Sequence, residues 1–455
     1  MFTINEILSI TDGELVQGDD TQMIGSVHFD TRKLCSDGLF IALTSGVRDG
    51  HTFLKDAADQ GAAAALISTT DVIKPQEVKS LGLIRVADTE KAFQQLAAAY
   101  RATLDIPVVA ITGSNGKTTT KDMMAHVLSH KKKVFKTKGN YNNHLGVPLS
   151  LLDISKQDEA AVLELGMNHA GEIDFLAHLA QPHIGVLTNI GDAHIEFFGT
   201  KDKIAEAKGE LLPHISLKGF ALLNLDDSYV CSQAERYQGD KVYYSIEKKA
   251  DIYATNIAYH EHGTSFHLHI GEKAIAAFIP TFGHYNVANV LPAAYVAYKL
   301  GYTLKDITEA LLTLTISDMR FQTIKGKNGS ILINDAYNAS PTSMKASVET
   351  FANIYPDRQK VVVLGDIFEL GENAEQLHAD VGHAIKDNDV KVITVGDLSK
   401  HISDVCQGTH VHSKEEALNS LQSYLSPEYA LLFKGSRGMK LEAIVDQVKA
   451  EETEG

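Results

Sequence analysis

The stretch Val108-Val109-Ala110-Ile111-Thr112-Gly113-Ser114-Asn115-Gly116-Lys117-Thr118-Thr119 limits the possible folds of this chain more than any other. Its first five residues are small or β-branched and predict a short buried strand. From Lys121 to His130, Met123/Val127 and Met124/Leu128 recur at the spacing of a helix face. Strand, glycine loop and helix in that order suit a phosphate. Gly113 and Gly116 let backbone N–H groups approach an anion, the helix N-terminus adds partial positive charge, and Lys117 adds a full one. A hydroxyl of Thr118 or Thr119 suits Mg²⁺. The spacing is Gly113-x-x-Gly116-Lys117-Thr118, shorter than the usual phosphate loop, which would need glycine where Ile111 stands. The competing reading is a tight strand-to-helix turn with a surface lysine.

A chain of 455 residues exceeds what one core supports, so several domains are expected. Hydrophobic content of 44% and charged content of 22% fit a globular protein rather than a disordered one. A net charge of −16 argues against general nucleic-acid or membrane-surface binding, so the positive charge that meets a phosphate must be local. Cys35, Cys231 and Cys406 lie far apart with no metal-ligand spacing, which points to a reducing compartment. The N-terminal residues lack a basic segment followed by an apolar run, and no apolar stretch reaches membrane-spanning length. The expected setting is the cytoplasm, with no nucleic-acid partner and no membrane insertion.

Residues 1–104 predict a small α/β domain. Strands are expected at 38–43, 63–68 and 83–86, and helices at 51–60 and 89–104. Two polar loops, 29–33 and 45–51, carry Arg32, Arg48 and Gly50 and would suit an anion such as a diphosphate, although ordinary solvated turns have the same composition. No G-x-G-x-x-G occurs there, so a dinucleotide fingerprint is absent. Residues 105–312 predict a central domain like those of phosphate-loop ATPases. Glu164 lies near the end of a strand at 161–166, and His194 follows a strand at 184–189. Ligands of open α/β sheets gather beyond such strand ends, which makes a shared metal–nucleotide site the favoured reading. Lys208, on a helix expected at 201–212, reads most simply as a surface lysine. The stretch 240–280 is irregular with some β alternation, and His267 and His269 would share a solvent-facing strand face. Asn286 and Asn289 lie one turn apart at the start of an apolar helix; they suit an adenine edge, and helix capping is the alternative for Asn286. Residues 313–455 alternate strand and helix, predicting a parallel, doubly wound, Rossmann-like domain without a phosphate loop of its own. It reads as a lid or second-substrate domain, with Arg320 near the hinge and an acidic tail at 451–454.

Taken together, the loop Thr112–Thr119, the strand end Glu164-Leu165-Gly166, the run Thr188-Asn189-Ile190-Gly191-Asp192-Ala193-His194, the pair Ala207-Lys208 and His284-x-Asn286 resemble the ATP-dependent Mur ligases of bacterial cell-wall synthesis. Residues 140–148, Asp335-Ala336-Tyr337-Asn338-Ala339-Ser340-Pro341, residues 365–371 and Lys434-Gly435-Ser436-Arg437-Gly438 resemble the branch that joins D-alanyl-D-alanine to UDP-N-acetylmuramoyl-tripeptide. The match spans essentially the whole chain in motif order.

The resemblance implies a ligase in which the tripeptide carboxylate takes the γ-phosphate of ATP and the resulting acyl phosphate is attacked by the dipeptide amine. It implies ATP contacts from Gly113, Ser114, Asn115, Gly116, Lys117, Thr118, Thr119, Asn286, Asn289, Arg320 and Asp335. It implies catalytic roles for Lys117, Glu164, His194 and Lys208. Two Mg²⁺ ions would be held by Thr118, Glu164, His194 and Lys208, the last as a carbamate, a role that composition does not reveal. Thr31, Arg32, Asp49, Gly50, His51, Asn140, Asn142 and Asn143 would hold the UDP-linked substrate. Tyr337, Asn338 and Arg437 would lie on the dipeptide side. The enzyme is expected to be a monomer.

Overall fold

The structure, a computed structural model, describes residues 1–46, 48–71, 74–315 and 317–451. Val47 of the 45–51 loop and residues 452–454 of the acidic tail therefore lie outside the described residues. The chain forms two compact units: residues 1–110, 133–167 and 172–183 in the first, and 111–132, 168–171 and 184 onward in the second.

In the first unit, a five-stranded sheet has the order Glu14–Gln17, Gly82–Arg85, Ala64–Ile67, Gly38–Ile41, Ser26–His28. Its first pair is antiparallel and the rest are parallel. The expected strands at 38, 63 and 83 are present, each a fully or largely buried run. The helix Thr89–Ala102 starts where Asp88 accepts from the Glu90 and Lys91 N–H groups. Its last turn explains why later segments belong to this unit. Arg101 is buried and donates to the carbonyls of Leu104, Ala180 and Gln181, while Tyr100 Oη donates to Ile154 O at 2.7 Å. A buried guanidinium stays charged, and carbonyls around it supply the acceptors that water would otherwise give.

In the second unit, Ile184–Leu187, Phe220–Asn224 and Asp240–Ser245 run parallel. The stretch read as irregular with some β alternation is mostly strand, with a register shift between Thr255 and Ala258. Strands Ile252–His260, Gly263–Ile270 and Lys273–Ile279 form an antiparallel meander, the first of them parallel to Asp240–Ser245. Only one face of this meander is well buried, so polar outer residues such as His267 hide the strand signal. His267 is exposed as expected, and His269 stacks on Tyr253 with ring centroids 4.3 Å apart.

The unit also contains a six-stranded sheet in the order Gln322–Lys325, Ile331–Asn334, Tyr429–Lys434, Gln359–Gly365, Lys391–Val395, Thr409–Val411. All neighbours are parallel except the Gln322–Lys325 edge strand, which the sequence reading did not anticipate. Alternate residues of single strands enter two separate cores: Val362, Leu364 and Leu432 join one, and Val361, Val363, Leu431 and Phe433 the other. Period-two side-chain direction therefore gives this sheet two buried faces. Burying each such side chain fully contributes about 1.5–3 kcal/mol. Among the described residues no helix is long and apolar enough to cross a membrane.

Candidate active site

The phosphate loop is built as its residues predict, with one shift. The helix is Lys117–Ser129, so it starts at Lys117 rather than Lys121. Its first turn consists of Lys117 and threonines, which carry no apolar periodicity, so the sequence signal begins a turn late. Gly116 caps the helix at φ 81°, and a Cβ there would meet Asn289 Oδ1 at 2.5 Å. Gly113 has φ 148°, and a Cβ would lie 1.8 Å from Thr188 Oγ1. Only glycine permits both the backbone angles and this close packing. Lys117 Nζ folds back over the loop, donating to Gly113 O at 2.8 Å.

The loop is pinned by Arg320 and by three residues to which the sequence reading gave no role, Thr188, Asn189 and Ser340. Thr188 Oγ1 donates to Asn115 O at 2.7 Å, and Asn189 Nδ2 donates to the same oxygen at 3.0 Å. Asn189 Oδ1 accepts from Asn115 N, and Asn189 O accepts from Ser114 N at 2.8 Å. Asn115 Oδ1 accepts from Ser340 Oγ at 3.1 Å, and Thr118 Oγ1 accepts from Arg320 Nη2 at 3.2 Å. The Arg320 guanidinium also lies over the Tyr337 ring, 4.1 Å from its centroid. Ser340, Arg320 and Tyr337 come from the 313–455 region, so that region reaches the phosphate loop directly.

Asn286 and Asn289 are buried on the His284–Lys299 helix. Asn286 Nδ2 donates to Phe282 O at 2.7 Å and so ties down the turn before the helix, but it does not cap the helix, whose cap residue is Gly283 with no side-chain cap hydrogen bond. Asn289 Oδ1 accepts from Thr120 Oγ1 at 3.3 Å and packs against Gly116, which makes it part of the loop's support.

Lys208 overturns the surface-lysine reading: it is 1% exposed on the Lys201–Gly209 helix. Burial and the neighbouring Lys117 charge both push its ammonium well below the ordinary lysine range. Both effects favour the neutral amine, the form that carries a free lone pair. His194 is bent at φ 67° and places Nδ1 2.7 Å from Glu369 Oε2. The close approach of the His194 ring holds the Glu369 carboxyl below the usual carboxylate range. Glu369 is itself left-handed at φ 62°. Non-glycine residues in that region cost on the order of 1 kcal/mol each, more than a half-exposed ion pair returns.

Asp335 is buried, and protein donors take both its oxygens: Phe321 N donates to Oδ1 at 3.1 Å, and Lys434 Nζ donates to Oδ2 at 2.6 Å. Arg437 pairs with Glu442 at 2.6 Å, and Asn338 is exposed while its carbonyl accepts from Lys434 at 3.3 Å.

In the first unit, Glu164 ends the strand Ala160–Glu164 and is 2% exposed, with Oε1 accepting from Asn142 Nδ2 at 2.8 Å. Asn143 Oδ1 accepts from Gly146 N at 2.9 Å at the start of the Gly146–Leu152 helix, and Asn140 is exposed. Lys33 Nζ reaches Tyr141 Oη at 3.1 Å, which brings the Thr31–Lys33 turn beside the 140–143 loop. The guanidinium of Arg32 pairs with Asp30 and holds that carboxyl at about 2. His51 is buried, with Nε2 accepting from Ser68 N at 2.9 Å and Nδ1 2.6 Å from Asp49 Oδ1. Both ring nitrogens are therefore spent on fixing the Asp49–Gly50 turn. Gly50 packs so closely that a Cβ would meet Leu43 O at 2.5 Å.

Comparison with known proteins agrees with this construction. Residues 111–297 match the Mur ligase middle domain, and residues 319–437 match the Mur ligase, glutamate ligase domain. The chain is 38% identical to the UDP-N-acetylmuramoyl-tripeptide–D-alanyl-D-alanine ligase of Bacillus subtilis strain 168, over 97% of both chains. It is 35% identical to the Escherichia coli K12 protein of the same name, again over 97% of both. Among solved structures, MurF from Acinetobacter baumannii superposes with a TM-score of 0.90 at 31% identity, covering 98% of each chain. MurF ligase from Thermotoga maritima in complex with ADP gives a TM-score of 0.82 at 26% identity, covering 92% of this chain and 96% of that one. With both its later domains matched and near-complete relatives above 30% identity, the chain belongs to the Mur ligase family.

Proposed function

We propose that this protein joins D-alanyl-D-alanine to UDP-N-acetylmuramoyl-tripeptide at the cost of ATP, releasing ADP and phosphate. The observation that carries this reading is full-length similarity to relatives bearing that activity in their names. In the first step a carboxylate oxygen of the tripeptide attacks the γ-phosphorus and ADP leaves, giving an acyl phosphate. The dipeptide amine then attacks the acyl carbon, and phosphate departs with the C–O bond electrons.

Two anions meet in the first step, so fixed positive charge and N–H dipoles lower the barrier. Lys117 and the N–H groups of residues 113–119 would cradle the phosphates. Arg320 would close on the nucleotide together with Asp335, which fixes the Phe321 turn beside it. Asn286 and Asn289 would shape the adenine side of the loop.

The chemistry of these side chains suits Mg²⁺: Glu164 would supply a carboxylate, Thr118 a hydroxyl and His194 an imidazole nitrogen. Bound there, Mg²⁺ would neutralise phosphate charge. Lys208 is proposed to join as a carbamate. Its neutral amine can add CO₂ and lose a proton, turning a buried would-be cation into an anion with oxygen ligands. Thr31, Arg32, the Asp49–His51 turn and Asn140, Asn142 and Asn143 are assigned to the UDP-linked substrate, and Tyr337, Asn338 and Arg437 to the dipeptide. The three-domain division at 104/105 and 312/313, the monomeric state and the cytoplasmic setting belong to the same proposal.

Phosphate release measured with ATP and UDP-N-acetylmuramoyl-tripeptide, with and without D-alanyl-D-alanine, tests the reading. Strong stimulation by the dipeptide is expected, and its absence would overturn the assignment.

A further inference from the structure

The mechanism above leaves Glu369 without a task, yet its carboxylate meets the one imidazole assigned to the metal. The Glu369 carboxylate lies 2.7 Å from His194 Nδ1 without the alignment of a full hydrogen bond, and its negative charge favours the neutral ring with the proton on Nδ1. The lone pair then lies on Nε2, the atom left for a cation. Carboxylate, histidine and metal in this order is a general way of orienting an imidazole ligand.

The loop that presents Glu369 is built to hold its place. The Asp366 carboxylate accepts from the N–H groups of Asp397, Leu398 and Ser399. Ser436 Oγ accepts from Phe368 N at 2.8 Å. His378 is fully buried; its Nε2 accepts from Ile367 N at 3.0 Å, and its Nδ1 faces Ala374 O at 2.6 Å. Beyond these fixed points Glu369 turns left-handed to face a left-handed His194, and its carbonyl accepts from Glu196 N at 3.3 Å. An exposed ion pair kept for stability alone does not require two such backbones, because its worth is smaller than their strain.

We propose that Glu369 is a positioning residue for the cation site: it fixes the His194 tautomer and ring orientation, and it does so from the 313–455 region, so the histidine is set for the metal only while that region is docked. The proposal rests on reading His194 as a Mg²⁺ ligand. It predicts that the last region contributes to metal binding without supplying a ligand.

The test compares Glu369→Ala, Glu369→Gln and His194→Ala in the full chain. Mn²⁺ affinity is read by electron paramagnetic resonance with a non-hydrolysable ATP analogue bound, and the His194 tautomer by ¹⁵N NMR without metal. Glu369→Ala should weaken Mn²⁺ binding about 10- to 100-fold and mix the tautomers. Glu369→Gln, whose carbonyl can accept from Nδ1–H, should recover most of the affinity. Unchanged affinity in Glu369→Ala beside a large loss in His194→Ala would overturn the positioning role, as would equal losses in the Ala and Gln variants. Unchanged affinity in His194→Ala would instead overturn the ligand reading beneath it.

Discussion

The lysines withdrawn from solvent in the second unit include Lys208 near the end of the Lys201–Gly209 helix and Lys434 at the end of the Tyr429–Lys434 strand. Their surroundings differ in kind. Lys434 lies 2.6 Å from the Asp335 carboxylate and also donates to Asn338 O, so its charge is matched where it is buried. Lys208 meets burial and the Lys117 cation, and both act against its charged form. Burial by itself therefore does not say what a lysine is for. With an anion beside it, a buried lysine clamps two segments together; without one, burial disfavours its charged form.

Substitutions can break this comparison. The largest effect is expected for Lys208→Ala, which should lower turnover about 1000-fold, near 4 kcal/mol of transition-state stabilisation. Added small carboxylates should restore part of it by standing in for the carbamate. A steady-state assay showing full activity in the variant would reject the carbamate.

Lys434→Met should come next, lowering stability in urea denaturation by about 3–5 kcal/mol because Asp335 is left buried and unpaired. A loss under about 1 kcal/mol would mean that water reaches the pair. The same replacement at Lys208 should have the opposite sign. In metal-free, CO₂-free buffer near neutral pH, Lys208→Met should be more stable than the parent by about 1 kcal/mol.

The pH dependence of that gain follows from linkage. Between the lowered folded value and the ordinary value of 10.5, the unfolded chain binds a proton that the folded one does not, so the parent gains stability as pH rises. The advantage of Met should therefore shrink toward pH 10.5. An advantage that grew with pH would contradict the lowered value. The smallest effect is expected at Lys201, which pairs with Asp192 at 3.0 Å but keeps about a third of its side chain exposed. Lys201→Met should cost about 0.5 kcal/mol or less, because solvent already screens that pair.

The phosphate loop was readable because its parts are contiguous: strand, glycines, lysine and threonines lie within a dozen residues, and their chemistry is local. The sheet of the last region was readable because strands buried on both faces are continuous apolar runs. The meander at 252–279 was less so, since half of each strand faces outward. The helix start at Lys117 and the strand ends differ from the sequence reading where side-chain pattern and backbone hydrogen bonding diverge.

Long-range relations were not readable from local pattern. Little around Lys208 in the sequence marks it as buried; the burial that chiefly lowers it and the Lys117 charge that adds to it appear only in the folded chain. Glu369 sits inside a motif that the family resemblance had already singled out, but its partner His194 is far away in the chain. Thr188 and Asn189 likewise stand in a quoted run, while their task of holding the Ser114–Asn115 backbone appears only when the loop is folded. A signal did exist in two of these cases: an amide or hydroxyl directly after a buried strand, and an acid between apolar residues in a loop, are both costly places for polar groups without partners.

The sequence alone determined that a phosphate loop opens a helix, that a doubly wound sheet ends the chain, and, through resemblance, which reaction the whole serves. Those properties depend on neighbours within a few residues or on motifs in order. Tertiary structure alone decided which lysine has its charge disfavoured and which is paired, which asparagines support a loop, and which carboxylate faces the histidine. Each of those depends on dielectric and on partners brought from distant segments, and neither is written in local spacing.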